Sequence, residues 1–496
     1  MKDLRINAEK LLKKNARAPM EIKYVFQKNR RRGCGRWTLL VCAIILLILS
    51  SLCLIWTPFR TLMDERLRMR PGFPPYEWWK NPPDEVLLRV YIFNITNANE
   101  FLNGEHNKLK VEEIGPIVFM ERLTHSNVTF NPNDTLTYVA ERRAVFLPEK
   151  NALDMNATLM VPNLAVLGMA SYFWDSSFVT KIAFNLLLRS LESRAIVSTT
   201  IYNYLWNFSD PILDVGQSLA PSLVPVNNLG VLNYMYSNFK HNVTVKIGTI
   251  FGSQNFFLID QFDGSGYLPN YGRECSDKLV DSTEGVAYPQ FLTKNTTLSY
   301  WRKTICKVVR LNYESDVNAY GVTAYRFVLD NTTFNRRKND CHVGNPPLPD
   351  GLSDVSKCYY NLPMASSFPH FLYTRSDYVE GLQPDVNKHG SYVIVEPVTG
   401  IPLESRARLQ SNLIVNELYG FNDVVEKFSN TVVPMFWAEY NQVGLPYYIT
   451  ALMFFTVNVV PYVQVVAIVA MIVGGVALAI ISGYKFSKRW KSSKHV

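Results

Sequence analysis

An uncharged run of 20 residues near the N-terminus, WTLLVCAIILLILSSLCLIW at 37–56, constrains the chain more than any other segment. It includes twelve Leu, Ile or Val residues. At about −0.4 kcal/mol each, these favour membrane insertion by roughly 5 kcal/mol. A helix of this length spans about 30 Å, the thickness of the hydrocarbon core of a bilayer. The run therefore predicts a transmembrane helix.

A second apolar region runs from 445 to 483 and is too long for one span. Because Pro461 interrupts it, we predict the second transmembrane helix at 462–483 and an apolar part of the body before it. Gly475, Ala479 and Gly483 form a small-residue face on this helix. That face predicts either packing against the first span or self-association into a homo-oligomer.

The net charge of +9 is located at the ends of the chain. Residues 1–36 contain 12 Lys or Arg and three Asp or Glu, and the last twelve residues, KFSKRWKSSKHV, add five basic groups. Basic tails next to spans predict that both termini are cytoplasmic. They argue against nucleic-acid binding. The first tail either fixes orientation only or also binds anionic lipid, and Cys34 is a candidate for palmitoylation.

The intervening body, 57–461, carries signs of an oxidising, glycosylated compartment. Four of the seven cysteines cluster in it, which predicts two disulfides with three possible pairings. Eight N-x-S/T sequons predict an extracellular or luminal body. The sequons are at Asn94, Asn127, Asn133, Asn156, Asn207, Asn242, Asn295 and Asn331.

Alternation of apolar and polar residues predicts many β-strands in the body, and hence a large antiparallel sheet or barrel. The predicted strand segments are 86–96, 110–123, 136–147, 242–250, 307–318, 323–329, 391–397 and 408–417. One interval, 163–207, has a helical period instead. There Val179, Ile182, Ala183, Leu186 and Leu187 form one face, and we predict a helical bundle with flanking helices at 164–174 and 191–206.

Local motifs along most of the chain identify a family. They include NPPDEVLLRVYIFNITNANEFLNG, VEEIGPIVFMERL, MVPNLAVLGMAS, NYLWNFSDPIL, ESDVNAYGVTAYRFVLD, SFPHFLY and EPVTGIPL. With two anchors, basic tails and late cysteines, this sequence resembles the class B scavenger receptors, the family of fatty-acid translocase and the high-density-lipoprotein receptor. The pattern is closer to the invertebrate branch.

The resemblance implies an α+β fold. Two transmembrane helices would enclose an irregular antiparallel β-barrel-like core with a hydrophobic tunnel and an apical helical bundle. It also implies disulfides Cys275–Cys341 and Cys306–Cys358, without the family's third bridge. The family's apical lysine pair falls on Ser190 and Glu192.

Three basic residues near that apical position, Lys181, Arg189 and Arg194, are candidate contacts for lipid head groups or an acidic lipoprotein face. The alternative is that they form a solvated helix face.

The predicted function is a cell-surface receptor that binds lipids or lipoprotein particles and transfers fatty acids, sterols or carotenoids to the plasma membrane. The alternative is an adhesion receptor for apoptotic cells or pathogens without transport. A lysosomal sorting receptor is disfavoured, since the C-terminal tail lacks an acidic-dileucine signal. No G-x-S-x-G, H-E-x-x-H or phosphate-binding Gly loop occurs, so we expect no enzyme, no catalytic residues, no metal and no cofactor.

Overall fold

A computed structural model describes Gly35 and residues 37–493, apart from 83, 84, 238, 274, 276, 338 and 339. The described residues divide into two compact units. The body unit is Leu67–Ala451, and the terminal unit contains the residues up to Arg66 and from Leu452 onward. The basic tail before Gly35, with Cys34, lies outside the described residues.

Two helices are long and apolar enough to cross a membrane, Trp37–Ile55 (α1) and the stretch Tyr447–Lys488. The second stretch comprises α12 (Tyr447–Phe454), a π-helical turn (Phe455–Val459) and α13 (Val460–Ser493). It extends beyond both ends of the expected span 462–483. Pro461 does not end the helix; it comes just after the π-helical turn, and a local π adjustment of this kind accommodates a proline within a transmembrane helix.

In the terminal unit, α1 and α13 pack against each other in antiparallel directions. The rings of Trp37 and Phe486 meet edge to face at 5.5 Å. Gly475 faces Leu47, whereas an added Cβ at Gly483 would meet nothing within 4 Å. Next to α1, helix α2 (Pro58–Arg66) begins where the Phe59 amide donates to Gln464 Oε1 at 2.6 Å.

The body unit is built on a 13-stranded sheet in which every ladder is antiparallel. The main path runs β7-β6-β3-β2-β1-β15-β14-β13-β10-β9-β8, and β12 joins β14 to β11. This sheet-rich body between two apolar helices confirms the predicted fold class. The strands are β1 (Val86–Ile95), β2 (Val111–Asn131), β3 (Thr135–Phe146), β6 (Lys240–Lys246), β7 (Ile259–Phe262), β8 (Leu298–Arg302), β9 (Lys307–Ala319), β10 (Val322–Leu329), β11 (Ser353–Asp354), β12 (Met364–Ser367), β13 (Tyr392–Val395), β14 (Pro402–Val415) and β15 (Thr431–Gln442).

The two ends of the main path, β7 and β8, are joined by a short segment, Asp281–Thr283. On one side, Ile259 of β7 donates to the Ser282 carbonyl at 2.7 Å. On the other side, the Thr283 amide donates to Ser299 of β8 at 2.8 Å. The sheet therefore closes on itself through this segment, which we call the seam. Closure removes two edges that would otherwise leave backbone groups unpaired.

Helices cluster around the interval predicted to be helical. They are α5 (Leu164–Tyr172), α6 (Phe178–Ser190), α7 (Ile201–Trp206), α8 (Pro211–Leu219) and α9 (Val231–Tyr236). The prediction of a helix over 191–206 was wrong in its first half. Ile196–Thr200 is a strand (β5) paired with β4 (Thr158–Pro162), because its β-branched residues favour a strand.

The apolar stripe of α6 faces solvent. The helix packs on the body through Phe184 and Leu188, whereas Val179 is 75% and Leu186 is 60% exposed. The helical period was therefore correct, but of the predicted stripe Leu187 packs on the core, whereas its other four residues are exposed.

The remaining short helices of the body are α3 (Pro74–Lys80), α4 (Ala98–Asn103), α10 (Val386–His389) and α11 (Asp423–Glu426). Two disulfides cross-link the body, Cys275 to Cys341 and Cys306 to Cys358. Each closes a loop of more than fifty residues beside the closed sheet.

Candidate functional site

The body unit encloses a cavity of about 610 Å³. This volume lies within the range of about 300–1,000 Å³ that is usual for small-molecule sites. Alternate positions of the strands supply apolar side chains to it, as with Val309 and Leu311 on β9 or Ala407 and Leu409 on β14. The cavity is thus suited to a largely apolar molecule.

One wall of the cavity is charged. We call Glu121, Arg142, Glu284 and Arg302 the polar wall; all four line the cavity, and their side chains are 6% exposed or less. Arg302 pairs with Glu121 Oε1, and Arg142 Nη1 donates to Glu121 Oε2 at 3.4 Å. Arg142 Nη2 lies 3.7 Å from Glu284 Oε1. Two carboxylates therefore face two guanidinium groups, and the formal charges cancel.

Two tyrosines complete the surroundings of Glu121. The Tyr236 hydroxyl donates to Glu121 Oε1 at 2.9 Å, and the Arg302 guanidinium lies 3.6 Å from the centre of the Tyr440 ring. Burial alone would raise the pKa of Glu121, but the nearby Arg302 and Arg142 outweigh it and lower that pKa. Glu121 is therefore held as a carboxylate, as a buried ion pair requires.

An aromatic group lies beside the polar wall. Trp79 stacks on His125 with ring centres 4.4 Å apart, and Tyr138 meets both rings edge to face. His125 Nδ1 donates to the Trp79 carbonyl at 2.7 Å, and burial lowers the pKa of His125 to about 4. The imidazole is therefore neutral at physiological pH.

Sequence reasoning missed the polar wall. Its members lie on β2, β3, β8 and directly after the seam, so nothing in their spacing brings them together. The available signal was a charged residue in an alternating series of apolar residues, as at Arg142 after Leu136, Tyr138 and Ala140 in TLTYVAERRAVF.

The basic residues predicted as ligand contacts do not line the cavity. Lys181 Nζ donates to the Tyr419 carbonyl at 2.9 Å and lies over the Phe421 ring. Arg189 and Arg194 are exposed on and just after α6. These positions adjoin the exposed apolar stripe of that helix.

A second group, Glu113, His370 and His389, brings three potential metal-ligand atoms within 4.8 Å of one another. Nδ1 of His370 accepts a hydrogen bond from the Gln383 amide, and Nδ1 of His389 accepts one from the Asp385 amide, both at 3.0 Å. A neutral imidazole that accepts at Nδ1 carries its proton on Nε2 and has no lone pair there for a metal. The group therefore does not fit a metal ion; instead His370 Nε2 donates to Glu113 at 2.6 Å.

Seven of the eight sequon asparagines are exposed, and Asn94 is half-buried. Asn94 Nδ2 donates to Glu112 Oε1 at 2.7 Å, and its Oδ1 accepts from the Met160 amide at 2.8 Å. Both the nitrogen and the oxygen of the Asn94 side-chain amide are therefore already hydrogen-bonded within the protein.

Comparisons with known proteins cover most of the chain. Residues 38–486 match the sequence model of the CD36 family. Scavenger receptor class B member 1 of Cricetulus griseus is 29% identical over 81% of this chain and 78% of that protein, and its Rattus norvegicus counterpart is 28% identical over 82% and 81%. Lysosome membrane protein 2 of Homo sapiens is 26% identical over 78% of this chain and 82% of its own length.

Proposed function

Because this chain belongs to the CD36 family, we propose that it is a receptor that binds lipids or lipoprotein particles and passes hydrophobic cargo through its body to the membrane. The cavity of about 610 Å³ carries this proposal. A sterol, carotenoid or fatty acid crosses water slowly because its apolar surface is costly to hydrate. A cavity that opens into a tunnel would remove that barrier without an energy source.

Particle docking is assigned to the exposed apolar stripe of α6, with Phe178, Val179, Ile182 and Leu186 41–75% exposed. Lys181 and Arg189 lie on the same helix and Arg194 follows it, and these basic groups suit a surface with anionic head groups. Support comes from this combination of apolar and basic groups, which also characterises helices that lie in lipid interfaces.

We assign the chain to the plasma membrane as a two-pass protein with both tails cytoplasmic and residues 57–461 outside. Basic tails next to both apolar helices support this topology. Self-association through Gly475, Ala479 and Gly483 is confined to Ala479 and Gly483, since Gly475 already packs on α1. A protease-protection assay on intact cells tests the topology: an epitope at either terminus should remain protected.

We assign no catalytic role, metal or cofactor to the chain. The polar wall supports a binding role, since its four charges are paired with one another beside the apolar side chains that line the cavity. Fatty acids, sterols and carotenoids such as lutein are the candidate cargo.

Uptake of labelled fatty acid, sterol ester and carotenoid by cells with and without the protein tests the function. Ala407→Phe should reduce uptake severalfold while surface expression stays normal, because it fills the cavity. Ala319→Phe, on β9 but outside the cavity lining, is the matched control. Increased particle or cell binding without any uptake would instead favour the adhesion receptor.

A further inference from the structure

The polar wall contains hydrogen-bonding atoms that no described residue satisfies. Arg142 Nε and Nη2, Arg302 Nε and Glu284 Oε2 are buried without a hydrogen-bond partner among the described residues. Nε1 of Trp79, which also lines the cavity, is likewise buried without a hydrogen-bond partner among the described residues. Donors and an acceptor are therefore available together in one part of the cavity lining.

Leaving such atoms without partners destabilises a folded protein, so a group of them inside a cavity indicates a ligand atom that bonds to them. Arg142 Nη2 lies 3.7 Å from Glu284 Oε1, a distance longer than a hydrogen bond. A small polar group placed there can accept from the guanidinium and donate to the free oxygen of Glu284.

We propose that the polar wall binds the hydroxyl group of a neutral lipid alcohol whose apolar part occupies the rest of the cavity. This inference rests on the proposed function, since it assumes that the cavity holds a lipid. The hydroxyl oxygen accepts from Arg142, and its proton is donated to Glu284 Oε2. Arg142 and Glu284 are then specificity-determining residues for cargo.

Charge distinguishes this ligand from a fatty-acid carboxylate. The two arginines of the wall are already neutralised by Glu121 and Glu284. A carboxylate would add an uncompensated buried negative charge beside Glu284, which is unfavourable. An alcohol adds no charge and matches both the donors and the acceptor.

The test is a competition among three probes that share the same hydrocarbon chain and differ in the head group: hexadecanol, hexadecanoic acid and methyl hexadecanoate. Purified full-length protein in detergent is incubated with an equimolar mixture, and the retained probes are quantified by mass spectrometry against protein-free micelles. We expect about ten times as much alcohol as acid to be retained. The alcohol should also be retained in preference to the ester, which has no proton to donate.

Glu284→Gln should shift the ratio of alcohol to acid toward the acid by about tenfold or more, because Arg142 and Arg302 then share the single carboxylate of Glu121 and the wall carries a net positive charge. Glu85→Gln is the matched control, since Glu85 also lines the cavity but is exposed. An acid-to-alcohol ratio of one or more in the wild-type protein overturns the proposal, even if Glu284→Gln fails to fold. An unchanged ratio in folded Glu284→Gln also overturns it. Retention of no probe by the wild-type protein overturns the proposed lipid binding itself.

Discussion

Gly475 of α13 lies so close to Leu47 of α1 that a Cβ added to the glycine would be 2.9 Å from the leucine Cγ. The same Cβ would lie 3.4 Å from the Ala43 carbonyl oxygen. The two apolar helices thus meet at a position where only glycine leaves enough space.

Gly475→Leu should therefore destabilise the helix pair by about 1–3 kcal/mol, the usual effect of overpacking. The measurement is the thermal unfolding temperature of the detergent-solubilised protein. Val473→Leu is the control, because Val473 also lies on α13 but is 62% exposed. Equal unfolding temperatures for the two variants would contradict the contact.

Stability should fall as the pH is lowered from 6.5 toward 4 because His125 is buried as a neutral group. Its pKa is about 4 in the folded protein against about 6.5 in the unfolded chain. Over this range the unfolded chain binds the proton first, which favours unfolding by about 2 kcal/mol at pH 5.

His125→Asn should flatten this pH dependence. The asparagine amide can still donate to the Trp79 carbonyl but does not titrate. Unfolding temperatures measured from pH 7.5 to 4.5 check this, and parallel curves for the variant and the wild-type protein would refute it.

Glycans should occupy the seven exposed sequons and not Asn94. The nitrogen to which a glycan is attached donates to Glu112, the residue opposite Asn94 in the ladder that pairs β1 with β2. Glycopeptide mass spectrometry of the protein purified from the membranes of eukaryotic cells checks this. Asn94→Gln should leave the electrophoretic mobility unchanged, whereas Asn127→Gln should increase it; a glycan on Asn94 would show the expectation to be wrong.

Removing the disulfide Cys306–Cys358 should destabilise the body by about 4 kcal/mol in the chain-entropy model, given its separation of 52 residues. Ile305, next to Cys306, lines the cavity, so ligand retention should fall as well. The double variant Cys306→Ser/Cys358→Ser is compared with Cys42→Ser, which removes an exposed free cysteine. Indistinguishable denaturation midpoints would rule out a stabilising role.

The strands could be predicted because their burial follows the alternation of the sequence. In β6, Val243 and Val245 are buried, and Thr244 between them is partly exposed. The strand Ile196–Thr200 was missed because it lies between two helices and was assigned to the second. The exposed stripe of α6 could not be foreseen, since periodicity gives the face of a helix but not what covers it.

The cavity wall could not be predicted because it depends on closure of the sheet. Arg302 lies on β8, at one end of the main path, and Glu121 lies on β2, near the other end. They meet only because the ends of the path come together. No local pattern encodes a contact between residues 181 positions apart.

The seam couples closure of the sheet to the charges of the polar wall. Thr283 is hydrogen-bonded through both its amide and its carbonyl to β8, and Glu284 follows it directly. The seam is also bonded to β7, on the side of the sheet that carries Arg142 on β3 and Glu121 on β2, whereas Arg302 ends β8. Separating β8 from the seam would therefore draw Arg302 away from Glu121, so opening the sheet along this line has an electrostatic cost.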